Sequence, residues 1–203
     1  MYIIGITGGT GAGKTSAVKS LQALGALALD CDKIYHELLL NNSDLKDDIE
    51  SHFKGVTTDG TIDRQKLGAI VWENPGSLRE LNAITHKYIS AEIQRRISEF
   101  KAQDGKIVAI DAIALIESGQ NEICDVVIGV TAPQEKRIQR IMERDNITQE
   151  RALMRVNAQQ TESFYRDNCD HILENVYDTQ GEFEEKCLRF FIELIEKGEI
   201  SYE

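Results

Sequence analysis

The chain has 203 residues, 41% of them hydrophobic and 28% charged, with a net charge of −11. That length suits one domain with a sizeable core, and so acidic a balance argues against nucleic acid as the partner of the surface as a whole. Two prolines and no low-complexity tract argue against long disordered linkers.

Tyr2–Thr7 is a short apolar run ended by glycines, which predicts a buried strand. Lys14–Leu24 places Ala17, Val18, Leu21 and Leu24 at helical spacing, with Gly25 as its terminator. Leu27–Leu29 is a second strand, stopped by Asp30. Strand, glycine loop, helix and strand make a βαβ unit, hence an α/β fold with a parallel sheet.

From Asp32 to about Gln103 the pattern is mostly helical. Leu45, Ile49 and Phe53 recur at i, i+4 and i+8 after Ser43, a candidate cap. Asp59-Gly60 signals a turn, and Asp63 suits the cap of a helix through Leu67, Ile70 and Val71. Pro75 restarts a long helix through Phe100. A stretch of this kind without a convincing strand is expected to be a helical insertion beside the sheet. Strands then resume at Ile107–Ile110, ending at Asp111, and at Val126–Val130. Helices are expected at about 134–145 and 149–160, a last strand at His171–Leu173 and a terminal helix at Phe183–Ile195.

Gly8-Gly9-Thr10-Gly11-Ala12-Gly13-Lys14-Thr15 meets every fixed position of G-x-x-x-x-G-K-[ST], between a strand and a helix. Glycines let the backbone wrap a phosphate with its amides pointing inward, and the helix that follows adds free N–H groups and the positive end of its dipole. Lys14 then reaches the outer phosphates, and Thr15 is the expected magnesium ligand.

Phosphoryl transfer needs a base or orienting group at the acceptor hydroxyl. Asp30 and Asp32 follow the second strand at the C-terminal edge of the sheet, where open α/β sheets bind ligands. On an extended chain the two would point the same way, so that one acts on a hydroxyl; alternatively, either caps the next helix. Asp111 is either an acid that holds magnesium through water or an ordinary strand-end acid.

Residues 133–155 carry a net charge of +2 in a chain whose remainder is −13, so an arginine-rich island faces one local anionic ligand. Arg140 and Arg144 lie i, i+4 on one helix, and Arg151 and Arg155 repeat the spacing on the next. Such pairs are either solvated helix faces or a closing lid that stabilises transferring charge; beside a phosphate loop the lid is the preferred reading. His36, His52 and His86 have no metal-ligand spacing. Cys31, Cys124, Cys169 and Cys187 form no C-x-x-C pair, which points to reduced thiols in a cytoplasm. No signal peptide is read at the N-terminus, and no window reaches the ~18 apolar residues of a membrane span.

With these residues in view the chain resembles the dephospho-CoA kinase family nearly end to end. The shared segments are Ile6-Thr7-Gly8-Gly9 into the phosphate loop, Asp30-Cys31-Asp32-Lys33-Ile34, Leu67–Val71 with Asn74-Pro75, and Leu81–His86. Ile116-Glu117-Ser118-Gly119, Arg140-x-x-x-Arg144-Asp145, Arg155-x-x-x-Gln159 and Asp170–Asn175 complete them. The resemblance implies a P-loop kinase fold, three-layer α/β/α, with a parallel five-stranded sheet, a helical coenzyme-binding region at about 33–103 and a lid at about 136–167. The core would be about 1–32, 104–135 and 168–203.

It further implies phosphorylation of the ribose 3′-hydroxyl of dephospho-CoA by ATP with Mg2+, in the cytoplasm, by a monomer or small homo-oligomer without a nucleic-acid or membrane partner. Asp32, Lys14 and Arg140 would be catalytic. ATP would be held by Gly8, Gly9, Gly11, Ala12, Gly13, Lys14, Thr15, Ser16, Arg140 and Arg144, the metal by Thr15, and the acceptor by Asp32, His86, Asp111 and Glu117. The chain departs from the family pattern at Ile113-Ala114-Leu115, at Lys87 and at Arg137, positions expected to bear on substrate contacts. Another small-molecule kinase and a nucleotide-binding switch are the rival readings; the first would lack the helical insertion, and the second would want an N-K-x-D segment.

Overall fold

A computed structural model describes residues 1–198. The chain divides into two compact units, one of residues 1–29 and 100–203 as a stretch of sequence, the other Asp30–Glu99.

In the first unit, strands β1 (Tyr2–Thr7), β2 (Leu27–Asp30), β5 (Ile107–Asp111), β6 (Val126–Thr131) and β7 (His171–Glu174) form a parallel five-stranded sheet in the order β2-β5-β1-β6-β7. Register places Ile6 beside Asp111 on one side, and Thr7 beside Gly129 on the other. Alternate residues Ile4, Ile6, Ile107, Ala109, Ile128 and Val130 join one apolar cluster with helices α1 (Lys14–Ala23) and α9 (Gln180–Glu196). The intervening Val108, Ile110 and Val127 are buried as well, the mark of a sheet covered on both faces. Gly5 is needed there, because a Cβ would stand 2.6 Å from the Leu115 side chain.

Helix α1 ends where Gly25 takes a φ of 86°, and Ala26 N–H returns to Leu21 O at 3.0 Å. Helix α9 begins three residues before Phe183, because Thr179 and Glu182 form a reciprocal capping box. Helices α6 (Gln134–Asp145) and α7 (Gln149–Asn157) pack on each other through Ile141, Ala152 and Val156. Helix α7 stops at Asn157, short of the expected residue 160, and α8 (Glu162–Asn168) was not anticipated. Seven residues with one buried side chain, Tyr165, are too few to show a helical period.

The second unit holds α2 (Cys31–Asn41), α3 (Ser43–His52), β3 (Thr57–Thr58), β4 (Thr61–Ile62), α4 (Arg64–Glu73) and α5 (Pro75–Ala102). Two of its features differ from the sequence reading. Residues 57–62 form a small antiparallel hairpin, its turn made by Asp59 and Gly60 at φ 49° and 72°. Two-residue strands are too short for alternation to register. The cap of α3 is Asn42, whose side chain accepts from Leu45 N at 2.8 Å, and Ser43 is the first helical residue. Asn42→Ala should therefore cost about 1 kcal/mol, a fall of about 2–4 °C in Tm by calorimetry at this chain length. Asp63 caps α4 as expected. No helix among the described residues is long and apolar enough to cross a membrane.

Candidate active site

The loop of residues 8–13 leaves β1 at the C-terminal edge of the sheet. Gly8 takes a φ of 142°, and a Cβ there would stand 2.1 Å from Val130 O. Gly13 takes a φ of 114° immediately before α1. Both positions lie in the half of φ space that a side chain strains, so the loop's curvature requires glycine twice. Gly8→Ala adds a backbone clash to that strain and should lower the unfolding free energy by about 3 kcal/mol or more in urea titration. Lys14 Nζ lies 2.9 Å from Gly8 O, so its stem spans the loop. Thr15, in the first turn of α1, is exposed. Ser16 is only 6% exposed, and its N–H donates to Gly13 O at 3.0 Å at the start of α1.

Behind the loop lies a set of polar side chains from distant elements. Arg140 Nη1 donates to Gly11 O at 3.1 Å; its Nη2 donates to Asn175 Oδ1 at 3.1 Å and to Tyr177 O at 2.8 Å. Asn175 Nδ2 in turn donates to Ala12 O at 2.9 Å. Arg137 Nε donates to Thr10 O at 3.0 Å and its Nη2 to Gln159 Oε1 at 2.7 Å. Burial lowers the pKa of both guanidinium groups; arginine stays cationic nonetheless, so two positive charges stand at the loop's rear.

The arginines of α6 and α7 thus separate. Arg140 reaches the loop. Arg144 pairs with Asp145 at 2.7 Å, and Arg155 pairs with the same carboxylate, whose pKa the two cations hold at about 2. Arg137, read in sequence as a departure expected to bear on substrate contacts, is bonded to the loop through Thr10 O. Its role is foreshadowed only by its position on the helical face of Arg140 and Ile141, at i+3 and i+4.

Asp111 ends β5 half-buried, in register with Ile6, two residues before Gly8. Glu117 is exposed on the segment after β5, and its Oε1 accepts from Gln160 Nε2 at 3.0 Å. Glu117 and Gln160 line a cavity of about 220 Å3 with Ile113, Ala158, Gln159 and Tyr165. Burial pushes the Tyr165 hydroxyl up to about 12, so it stays protonated.

In the second unit, Asp30 is the residue that caps α2, its carboxylate accepting from Lys33 N at 3.0 Å. Asp32 is exposed in the first turn of that helix. The expectation of an extended pair pointing one way is corrected here: the chain turns helical at Cys31, because the Asp30 cap starts the helix before Asp32 is reached. His86 is half-buried in α5, and burial lowers its pKa, which favours the neutral imidazole.

Among the described residues no group of three or more His, Cys, Asp or Glu side chains could hold a metal ion. An exposed threonine hydroxyl at the mouth of a phosphate loop fits Mg2+, which keeps several waters and takes the rest of its oxygen ligands from phosphate.

The parallel sheet, the glycine loop after β1 and a lysine-threonine pair opening α1 define a P-loop phosphotransferase. Comparisons narrow the class. The dephospho-CoA kinase family model matches residues 2–180. The dephospho-CoA kinase of Latilactobacillus sakei subsp. sakei is 35% identical over 175 residues, 86% of this chain and 87% of that protein. A crystal structure from Thermus thermophilus superposes with a TM-score of 0.81 at 27% identity, covering 96% of this chain and 97% of that one. Dephospho-CoA kinase from Campylobacter jejuni superposes with a TM-score of 0.70 at 27% identity, covering 97% and 98%. The chain belongs to the dephospho-CoA kinase family.

Proposed function

We propose that the protein transfers the γ-phosphoryl group of ATP to the ribose 3′-hydroxyl of dephospho-CoA, giving coenzyme A and ADP, with the following division of labour. The observation that carries this reading is an intact Gly8–Thr15 loop in a chain matched by the dephospho-CoA kinase family over residues 2–180. The amides of the loop and the start of α1 hold the β- and γ-phosphates. Lys14 follows the charge that develops on the transferring group. Arg140 fixes the loop through Gly11 O and adds positive potential from behind. Mg2+, when bound through Thr15, neutralises phosphate charge and orients the γ-phosphoryl group.

Asp32 is the residue that takes the proton of the 3′-hydroxyl. The Asp30 cap leaves it uncommitted to the helix terminus, and its side chain is solvent-facing. Asp111, Glu117 and His86 contact the acceptor; His86, kept neutral, both donates and accepts. Residues 136–167 act as the lid, with Arg144 recruited to ATP from its pairing with Asp145. The enzyme works in the cytoplasm as a monomer or small homo-oligomer.

The experiment is parallel assay of purified protein with ATP and Mg2+ on dephospho-CoA, nucleosides and nucleotides, following ADP release. Turnover on dephospho-CoA well above the rest is expected. Preference for a nucleoside overturns the reading.

A further inference from the structure

One residue of the phosphate loop is bound through all its polar groups to side chains more than 120 positions away. Thr10 N–H donates to Gln159 Oε1 at 2.8 Å, and Gln159 Nε2 donates to Thr10 Oγ1 at 2.7 Å. The carbonyl of Thr10 accepts from Arg137 Nε at 3.0 Å. Arg137 also donates to Gln159 Oε1, at 2.7 Å, so the amide oxygen of Gln159 sits between two donors while its nitrogen faces an acceptor. Turning that amide over would set an NH2 group against two N–H donors, so the arrangement has one orientation.

The loop is built to admit this grip. A Cβ on Gly9 would stand 2.2 Å from Arg137 Nη2 and 3.0 Å from Gln159 Oε1; one on Gly11 would stand 2.7 Å from Arg137 O. These two glycines leave room for Arg137 and Gln159 to lie against the loop. Arg137 and Gln159 are also carried together. One lies in α6 and the other just past α7, and those helices pack through Ile141, Ala152 and Val156.

We propose that Gln159, oriented by Arg137, is a positioning residue for phosphoryl transfer: it sets the Thr10 peptide within the phosphate loop and couples the loop to helices α6 and α7. It touches no reacting atom. It acts by holding the amides of the loop where the transferring group needs them, a geometry whose loss by about 1 Å can cost on the order of 100-fold in rate. The inference rests on the loop holding a triphosphate and is independent of which acceptor the enzyme uses.

The test is a double-mutant cycle on Thr10→Val and Gln159→Leu, with Thr10→Ser as the conservative variant. Steady-state ADP release gives kcat and the KM for ATP, and equilibrium titration with ADP gives nucleotide affinity without any acceptor. Gln159→Leu should lower kcat by about 10–100-fold while KM for ATP and ADP affinity move by less than about threefold. Thr10→Ser, which keeps the hydroxyl, should stay within about twofold of the parent, and Thr10→Val should fall below it. The double variant should be no slower than Gln159→Leu alone, because both changes break one connection. Multiplying effects, or a Gln159→Leu kcat within about twofold of the parent, overturn the proposal. If Gln159→Leu does not fold, the Thr10→Val and Thr10→Ser comparison decides: equal kcat values overturn it. Loss of ADP binding in the parent itself would instead defeat the nucleotide reading.

Discussion

Lys14→Ala is expected to lower kcat by about 100–1,000-fold, the scale of removing one preorganised donor from a developing charge. The side chain leaves α1 at its first residue and returns to Gly8 O at 2.9 Å, so its ammonium is held at the loop before any ligand arrives. A cation placed in advance needs little reorganisation when charge builds on the γ-phosphoryl oxygens, and it serves the transition state more than the ground state. KM for ATP should therefore rise less than kcat falls. Thermal unfolding should change little, because glycine geometry and the Asn175 and Arg140 contacts maintain the loop. A kcat within about tenfold of the parent would remove Lys14 from this role.

Asp32→Asn should lower kcat by about 100–10,000-fold, the range for losing a general base, with ATP affinity unchanged. The informative control is its neighbour. Asp30 caps α2 through Lys33 N at 3.0 Å, and asparagine caps a helix as well as aspartate does. Asp30→Asn should consequently keep both stability and turnover, whereas Asp30→Ala should cost about 1 kcal/mol of stability. The reverse pattern, with turnover lost on Asp30→Asn and kept on Asp32→Asn, would exchange the two roles. Position alone left the two aspartates equivalent and the family resemblance pointed to Asp32; the cap hydrogen bond gives Asp30 a structural task of its own.

The arginine-rich stretch follows the same logic. Spacing alone made Arg140 and Arg144 partners. In the fold, one guanidinium braces Gly11 and the other is tied to Asp145. They sit four residues apart on one helix, but a long, flexible side chain goes to whichever acceptors the surrounding elements supply. For Arg140 those acceptors come from residues 11, 175 and 177. Arg137, Gln159 and Asn175 were visible as residues of motifs and as a departure, yet their work on the loop was not, for the same reason.

What the sequence determined by itself was local. The phosphate loop was legible because its chemistry is backbone chemistry: glycines at 8 and 13 permit φ values of 142° and 114°, and Lys14 and Thr15 follow at fixed offsets. The five strands were legible because short apolar runs bounded by glycine, proline or aspartate have few alternatives, whereas their order in the sheet came from the fold. The fold and the family reading rest on those features. What only the tertiary structure decided was partnership: that Thr10 is gripped by a glutamine 149 residues away, that Asp30 is the cap, and that Arg140 rather than Arg144 reaches the loop. Hydrogen bonds between side chains are chosen by distances across the packed core, and no period or spacing along the chain encodes them.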